Sequence, residues 1–323
     1  MQKAYYGGVV SLLMIALLGI CLLLPSLALA KQITFKHVAT PKQHSFAYAW
    51  RMQDASFTLN FTLSAKTFTA MPNTRPAFSN DVMQREIEVA LLKYAKTLDP
   101  RRGRVEIKRR GKVIEYGVSS PSESTNQDIM QMLKSISAEA KQQYLSDHFY
   151  TYYSSPLGVS AVKHDHAKYA KMSADSLTPV VAAIKGMQIN VNDPREFIQI
   201  ALNWMQSIPY DTLENRVTSN GAGYVSPKDL LVQNQGDCDS KATFLAALIR
   251  AYSSSVQQKM VLLPQHALLA IAIRPDANEK TVSQDGIEYV LLEAAGPGYF
   301  DIGKVADSTW MDIINRQYSL DRM

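Results

Sequence analysis

The stretch Asn234-Gln235-Gly236-Asp237-Cys238-Asp239-Ser240-Lys241, continuing from Ala242 to Tyr252, decides how the rest of the chain is read. Gly236 suits a tight entry turn, and Asp237 is a good N-cap whose carboxylate can accept from the amide of Asp239 or Ser240. Cys238 then falls at the first helical position. Ala242, Leu245, Ile249 and Tyr252 follow at helical spacing on one face, which predicts a helix whose thiol-bearing end is held against a core. The partial positive charge at a helix N-terminus favours thiolate over thiol, so the position suits a nucleophile. Asp237 and Asp239 act against a thiolate, and a cationic partner, a histidine, is therefore expected elsewhere in the chain.

Downstream, Lys259-Met260-Val261-Leu262-Leu263-Pro264 reads as a short buried strand. The run His266-Ala267-Leu268-Leu269-Ala270-Ile271-Ala272-Ile273 reads as a second, with His266 at its mouth. A third, Ile287-Glu288-Tyr289-Val290-Leu291-Leu292-Glu293, ends on a carboxylate just before Ala294-Ala295-Gly296-Pro297-Gly298. The order is helix-borne Cys, strand-borne His, strand-borne acid, with gaps long enough for each element to turn and pair with the next. On adjacent antiparallel strands, about 4.8 Å apart, His266 and Glu293 are within hydrogen-bonding reach, and both can pack against the Cys238 helix.

These residues resemble the transglutaminase-like branch of the papain-fold cysteine enzymes. That family's core runs Gly-Asp-Cys plus helix, then a strand beginning with His, then a strand ending in Asp or a substitute. Ser207-Ile208-Pro209-Tyr210-Asp211-Thr212-Leu213 and Ser226-Pro227-Lys228-Asp229-Leu230-Leu231 are similar to the family's lead-in, and the match covers about 193–304. The resemblance implies that Cys238 is the nucleophile, His266 its base and acid, and Glu293 the group that orients the imidazole. It also implies acyl transfer through a Cys238 thioester on peptide or amide bonds, with hydrolysis or transfer to an amine as outcomes. An inactive binding or scaffold module of the same fold is the alternative. The family usually has Asp at the third position with Thr two residues on, where this chain has Glu293 and Ala295. The Cys238 backbone amide is one natural oxyanion donor, and Gln233, Gln235 and Tyr210 are candidates for the second.

The chain opens with Met1-Gln2-Lys3, an apolar run without charge, and Ala28-Leu29-Ala30. This is the pattern of an export signal over residues 1–30, cut before Lys31, although Leu12 to Leu24 with its flanks approaches the ~20 residues of a membrane anchor. Export to a periplasm is expected, with anchoring to the inner membrane if the segment stays. Cys21 lies in this segment, so of the chain's 2 cysteines the mature protein keeps Cys238 alone. An exported chain with one thiol can form no internal disulfide, and chemistry explains its presence best. The 34 Lys and Arg against 29 Asp and Glu make the chain only mildly basic, at +5, which implies no polyanionic partner.

The expected fold is α+β, a papain/transglutaminase-like core preceded by a β-rich region. The divisions are 31–120 β-rich, 121–192 helical and connecting, and 193–323 catalytic. Alternation of Phe46, Tyr48 and Trp50 with Phe57, Leu59, Phe61 and Leu63 about Gln53-Asp54-Ala55 predicts a hairpin. Asp81 to Leu98 and Pro194 to Ser207 read as helices, and Ser120 to Gln143 as a helix connecting two halves. Asn60-Phe61-Thr62 is a glycosylation triplet by pattern only. The densest basic run, Arg101 to Lys112, alternates with Val105 and Ile107 and turns at Arg110-Gly111. A solvated hairpin accounts for it, and no nucleic-acid partner is expected. His164-Asp165-His166 has metal-ligand residue types with no further His or Cys cluster beside it, so a surface turn is expected and no metal or other cofactor. The aromatic group Tyr144, Phe149, Tyr150, Tyr152 and Tyr153 reads as packing between domains. The partner implied is a protein or peptide substrate outside the cytoplasm.

Overall fold

The computed structural model describes residues 30–111, 113–154, 160–190, 192–215 and 223–323. The export signal over 1–30, its anchor alternative and Cys21 lie outside the described residues, apart from Ala30.

The first layer is an antiparallel meander of β1 (Ala30–Ala39), β2 (Gln43–Met52) and β3 (Ala55–Ser64), in the order β1-β2-β3. The hairpin expected at Gln53-Asp54 is present, with Met52 opposite Ala55 and Gln53 in the left-handed region at φ 50°. The alternation puts Phe46, Tyr48, Trp50, Leu59, Phe61 and Leu63 on the inner face, all buried. A short helix, α1 (Ala65–Ala70), starts from a Ser64 cap that accepts from Thr67 N–H.

A second, smaller core lies between α2 (Asn80–Thr97), a hairpin of β4 (Arg104–Arg110) and β5 (Val113–Ser119), and α3 (Glu123–Asp147). Met83, Ile87 and Leu91 of α2 meet Ile129 and Leu133 of α3 there, while Arg104, Lys108 and Arg110 of the hairpin are exposed and Arg109 reaches back to Asp81 of α2 at 3.3 Å. The basic run is thus the solvated hairpin its alternation predicts. The helix expected to connect two halves instead packs along α2, because its apolar spacing matches that of α2 and both need cover.

β6 (Tyr150–Ser154) and β7 (Ser160–His164) pair, and α4 (His166–Ala174) and α5 (Thr178–Lys185) follow. The aromatic group divides here. Tyr144 and Tyr150 go into the α2–α3 core, whereas Phe149 packs at a tilt on buried Tyr169, with ring centroids 4.7 Å apart, beside Tyr224. One correction follows directly: His164 and His166 are 7% and 3% exposed, so this stretch is an interior junction and not a surface turn.

α6 (Pro194–Ser207) is the amphipathic helix that its spacing predicts. Its Trp204 takes Tyr48 of β2 edge-on at 5.0 Å and Phe244 at 5.4 Å, so it joins the first sheet to the cysteine helix. After α7 (Pro227–Gln233) comes α8 (Cys238–Tyr252), which starts at the residue expected and is buried from Ser240 to Ile249. It lies on an antiparallel sheet of β8 (Gln258–Leu262), β9 (Ala267–Ile271), β10 (Thr281–Gln284) and β11 (Ile287–Leu292). α9 (Asp307–Ile314) and β12 (Ser319–Arg322) complete it, in the order β10-β11-β9-β8-β12. Residues of β9 are buried on both faces, Leu269 and Ile271 toward the helices and Leu268 and Ala270 toward α9 and β10. That explains its unbroken apolar run. The chain is α+β throughout, and one continuous core runs from β1–β3 through α6 and α8 to β9 and β11. Among the described residues no helix is long and apolar enough to cross a membrane.

Candidate active site

Cys238 stands where three backbone devices converge. α7 ends on Asn234 in the left-handed conformation, φ 51° and ψ 41°, turning the chain sharply into the cysteine helix. Gly236 follows, bridged to Tyr210, with its N–H on the Pro209 carbonyl. Its φ is not positive. What favours glycine is space, since a Cβ would sit 3.0 Å from Leu230 Cδ1 and 3.3 Å from Ser240 Cβ and those neighbours would have to shift. Asp237 then caps α8 by accepting from Ser240 N–H at 3.1 Å. These contacts fix the first turn, leaving the Cys238 amide among the N–H groups that have no intrahelical acceptor.

The sheet supplies the partner. His266 immediately precedes β9, and its carbonyl accepts from Leu263 N–H at 2.8 Å, which closes the turn from β8. β11 lies antiparallel beside β9, with Leu292 opposite Leu269, so Glu293 emerges next to His266 as the spacing predicts. Nε2 of His266 meets Oε2 of Glu293 at 2.7 Å. Nδ1 is left for Cys238, whose thiol is near enough to act on the imidazole together with Glu293. Burial alone would lower the His266 pKa, but the hydrogen bonds and charges of Cys238 and Glu293 prevail and raise it to about 10. The imidazolium is therefore the resting form at neutral pH.

Glu293 is 3% exposed, and its longer side chain is accommodated by folding back: Oε1 accepts from Ala295 N–H at 3.1 Å while Oε2 serves His266. Gln206 of α6 holds the segment from behind. Its Nε2 donates to the carbonyls of Glu293 and Phe300, both at 2.8 Å. Gly296 passes so near that a Cβ there would fall 1.8 Å from the Gln206 carbonyl oxygen. Asp301, the other acid of this segment, is exposed and bonded to the Tyr299 hydroxyl, which takes it out of the site.

Of Gln233, Gln235 and Tyr210, the structure brings Tyr210 to the thiol: it is bridged to Gly236, and its phenol and Cys238 are close enough to interact. Burial, then the nearby Cys238, Asp237 and Asp239, pushes the phenol up to about 12, so it remains a donor across the physiological range. Beneath it lies a residue that the sequence gives little sign of. Lys241 is fully buried, donates from Nζ to the Ile208 carbonyl at 2.5 Å, and lies 5.9 Å from the Tyr210 ring centroid. Burial pulls its pKa down to about 8, against the opposing pull of Asp237, Glu293 and Cys238. Lys241 sits on a helix face that is otherwise apolar, and a polar residue in such a face is the available sequence signal, whereas Gln206 continues a polar row with Gln199 and Asn203.

Behind Cys238, Oδ2 of Asp239 lies 2.9 Å from Nε2 of His166 on α4. Burial and the adjoining Asp239 carboxylate push Asp237 well above the usual carboxylate range. No family model, curated protein or solved structure matches the chain, and the functional reading rests on the geometry of the site.

Proposed function

We propose that this protein is a transglutaminase-like cysteine enzyme with a papain-type core, cleaving peptide or amide bonds of an extracytoplasmic protein or peptide by acyl transfer. The observation that carries the reading is the His266 imidazole fixed 2.7 Å from the Glu293 carboxylate and close enough to Cys238 at the start of α8 for the two to act on each other. That is the arrangement of an activated nucleophile, its base and an orienting acid.

The steps follow from the positions. Cys238 Sγ attacks the carbonyl carbon, and the C=O π pair moves to oxygen. The oxyanion is met by the Cys238 amide at the helix start and by the Tyr210 hydroxyl. When the tetrahedral adduct collapses, the C–N bond breaks, the His266 imidazolium gives its proton to the leaving amine, and a thioester remains on Cys238. Neutral His266 then takes a proton from the acceptor as it attacks, and Cys238 leaves as thiolate beside the re-formed imidazolium. Water as acceptor gives hydrolysis, which we favour because water is abundant outside the cytoplasm. An amine acceptor gives cross-linking.

An activated ester tests this without knowledge of the substrate. With p-nitrophenyl acetate, wild-type protein is expected to release a burst of nitrophenolate and to gain one acetyl group on Cys238 by mass spectrometry. Cys238→Ala should show neither. Added glycine methyl ester divides hydrolysis from aminolysis by product. Acetylation that is equal in wild type and His266→Ala would contradict the proposal.

A further inference from the structure

The second histidine–carboxylate pair addresses an electrostatic conflict at the nucleophile. Asp239 directly follows Cys238, and an uncompensated carboxylate there would disfavour a thiolate. It is compensated from another element: His166 Nε2, on the first residue of α4, lies 2.9 Å from Asp239 Oδ2. Asp239 Oδ1 accepts from Ser240 N–H at 3.1 Å, so each of its oxygens has a close partner. The imidazole is 3% exposed and boxed in by Tyr224, whose ring centroid lies 5.2 Å away.

The other charged and titratable neighbours do not substitute for His166. Asp237, the cap of the same helix, is a second carboxylic acid beside Asp239, while His164 of β7 adds a weaker pull on the Asp239 carboxylate. Lys163 Nζ is 3.4 Å from His166 Nδ1 but is held by Asp321 at 2.6 Å. On that outer side lies a polar cavity of about 250 Å³, lined in part by Lys163, His166, Asp321 and Arg322.

We propose that His166 is a positioning residue for the nucleophile, neutralising Asp239 and tying the first turn of α8 to α4 so that Cys238 meets His266 without an opposing charge beside it. The inference rests on Cys238 being the nucleophile of a Cys238–His266 pair.

Alkylation of Cys238 by iodoacetamide near pH 6 reads the effect on the thiol itself. His166→Gln is expected to react about ten-fold slower than wild type, the size of one pH unit of thiolate population. Asp239→Asn alone should react no slower than wild type, and in His166→Gln/Asp239→Asn the rate should return to within about two-fold of wild type, because the charge to be neutralised is gone. A purely structural role for His166 would leave the double variant slow. The inference is overturned if His166→Gln matches wild type or if the double variant stays slow. If circular dichroism shows His166→Gln to be unfolded, the Asp239→Asn arm decides, and slower alkylation there overturns it. Failure of the underlying pair is distinguishable, since wild type itself would then label slowly and His266→Ala would not change it.

Discussion

Two imidazole–carboxylate pairs flank Cys238, and they are built the opposite way round. In the pair on the sheet, the side chain of His266 is 25% exposed and that of Glu293 4%; in the pair on α4, His166 is 3% exposed and Asp239 21%. A group that exchanges protons with substrate must be reachable, with its orienting acid shielded behind it. His266 and Glu293 meet that requirement. A histidine sealed behind its carboxylate can hold charge but cannot reach a reacting atom, which is the position of His166. Under the proposed function, similar residue types at similar distances would differ in role because of which member faces outward.

The largest effect is expected from breaking the outer pair. His266→Ala should lower acyl transfer by about 10³-fold, within the range for loss of a general acid and base. The nitrophenolate burst rate measures it. Glu293→Gln keeps shape and removes charge, and a loss of about 10²-fold is expected with little change in thermal midpoint. The same variant tests pH linkage. A histidine raised from 6.5 to about 10 contributes stability that is full below 6.5 and lost as pH climbs through 10. Urea unfolding at several pH values between 7 and 10 should therefore show a shallower decline in Glu293→Gln than in wild type.

Tyr210→Phe sharpens the assignment of the oxyanion donor. Loss of one hydrogen bond to a developing charge should lower kcat about ten-fold while leaving KM near its wild-type value. A change confined to KM would make Tyr210 a binding group. The smallest effect concerns Lys241. Its value, lowered to about 8 from 10.5, means that the unfolded chain binds the extra proton between those limits, so its contribution to stability rises with pH there, opposite in sign to that of His266. Lys241→Met should unmask the His266 decline between pH 8 and 10, seen as a steeper fall in unfolding free energy than in wild type.

How much of this is legible in the sequence depends on where each signal is stored. α8 with its Asp237 cap, and the strands on either side of His266 and Glu293, follow from local chemistry: a capping residue, helical periodicity, and apolar runs ended by polar residues. So do the β2–β3 hairpin and the helix at Pro194, which has proline in its first turn. His164 and His166 were misplaced because nothing in a His-Asp-His triplet reports that α4 will pack against α8. Burial of a polar residue belongs to its tertiary neighbours. The same holds for Lys241 and Gln206, whose acceptors, Ile208, Glu293 and Phe300, come from other segments. The need for Gly236 was visible, but its cause was not: the crowding by Leu230 and Ser240 exists only once α7 and α8 are packed.

The central claim, that Cys238 and His266 form a working pair, is tested most directly by the pH profile of Cys238 alkylation. The described residues contain no other cysteine, so in protein processed near Lys31, whole-protein mass gain on incubation with iodoacetamide reports on this thiol. The account predicts ready alkylation near pH 6 in wild type and marked slowing in His266→Ala, where the cationic partner is absent. Labelling of wild type that begins only above about pH 8, the range of an ordinary cysteine, with a superimposable profile for His266→Ala, would contradict it.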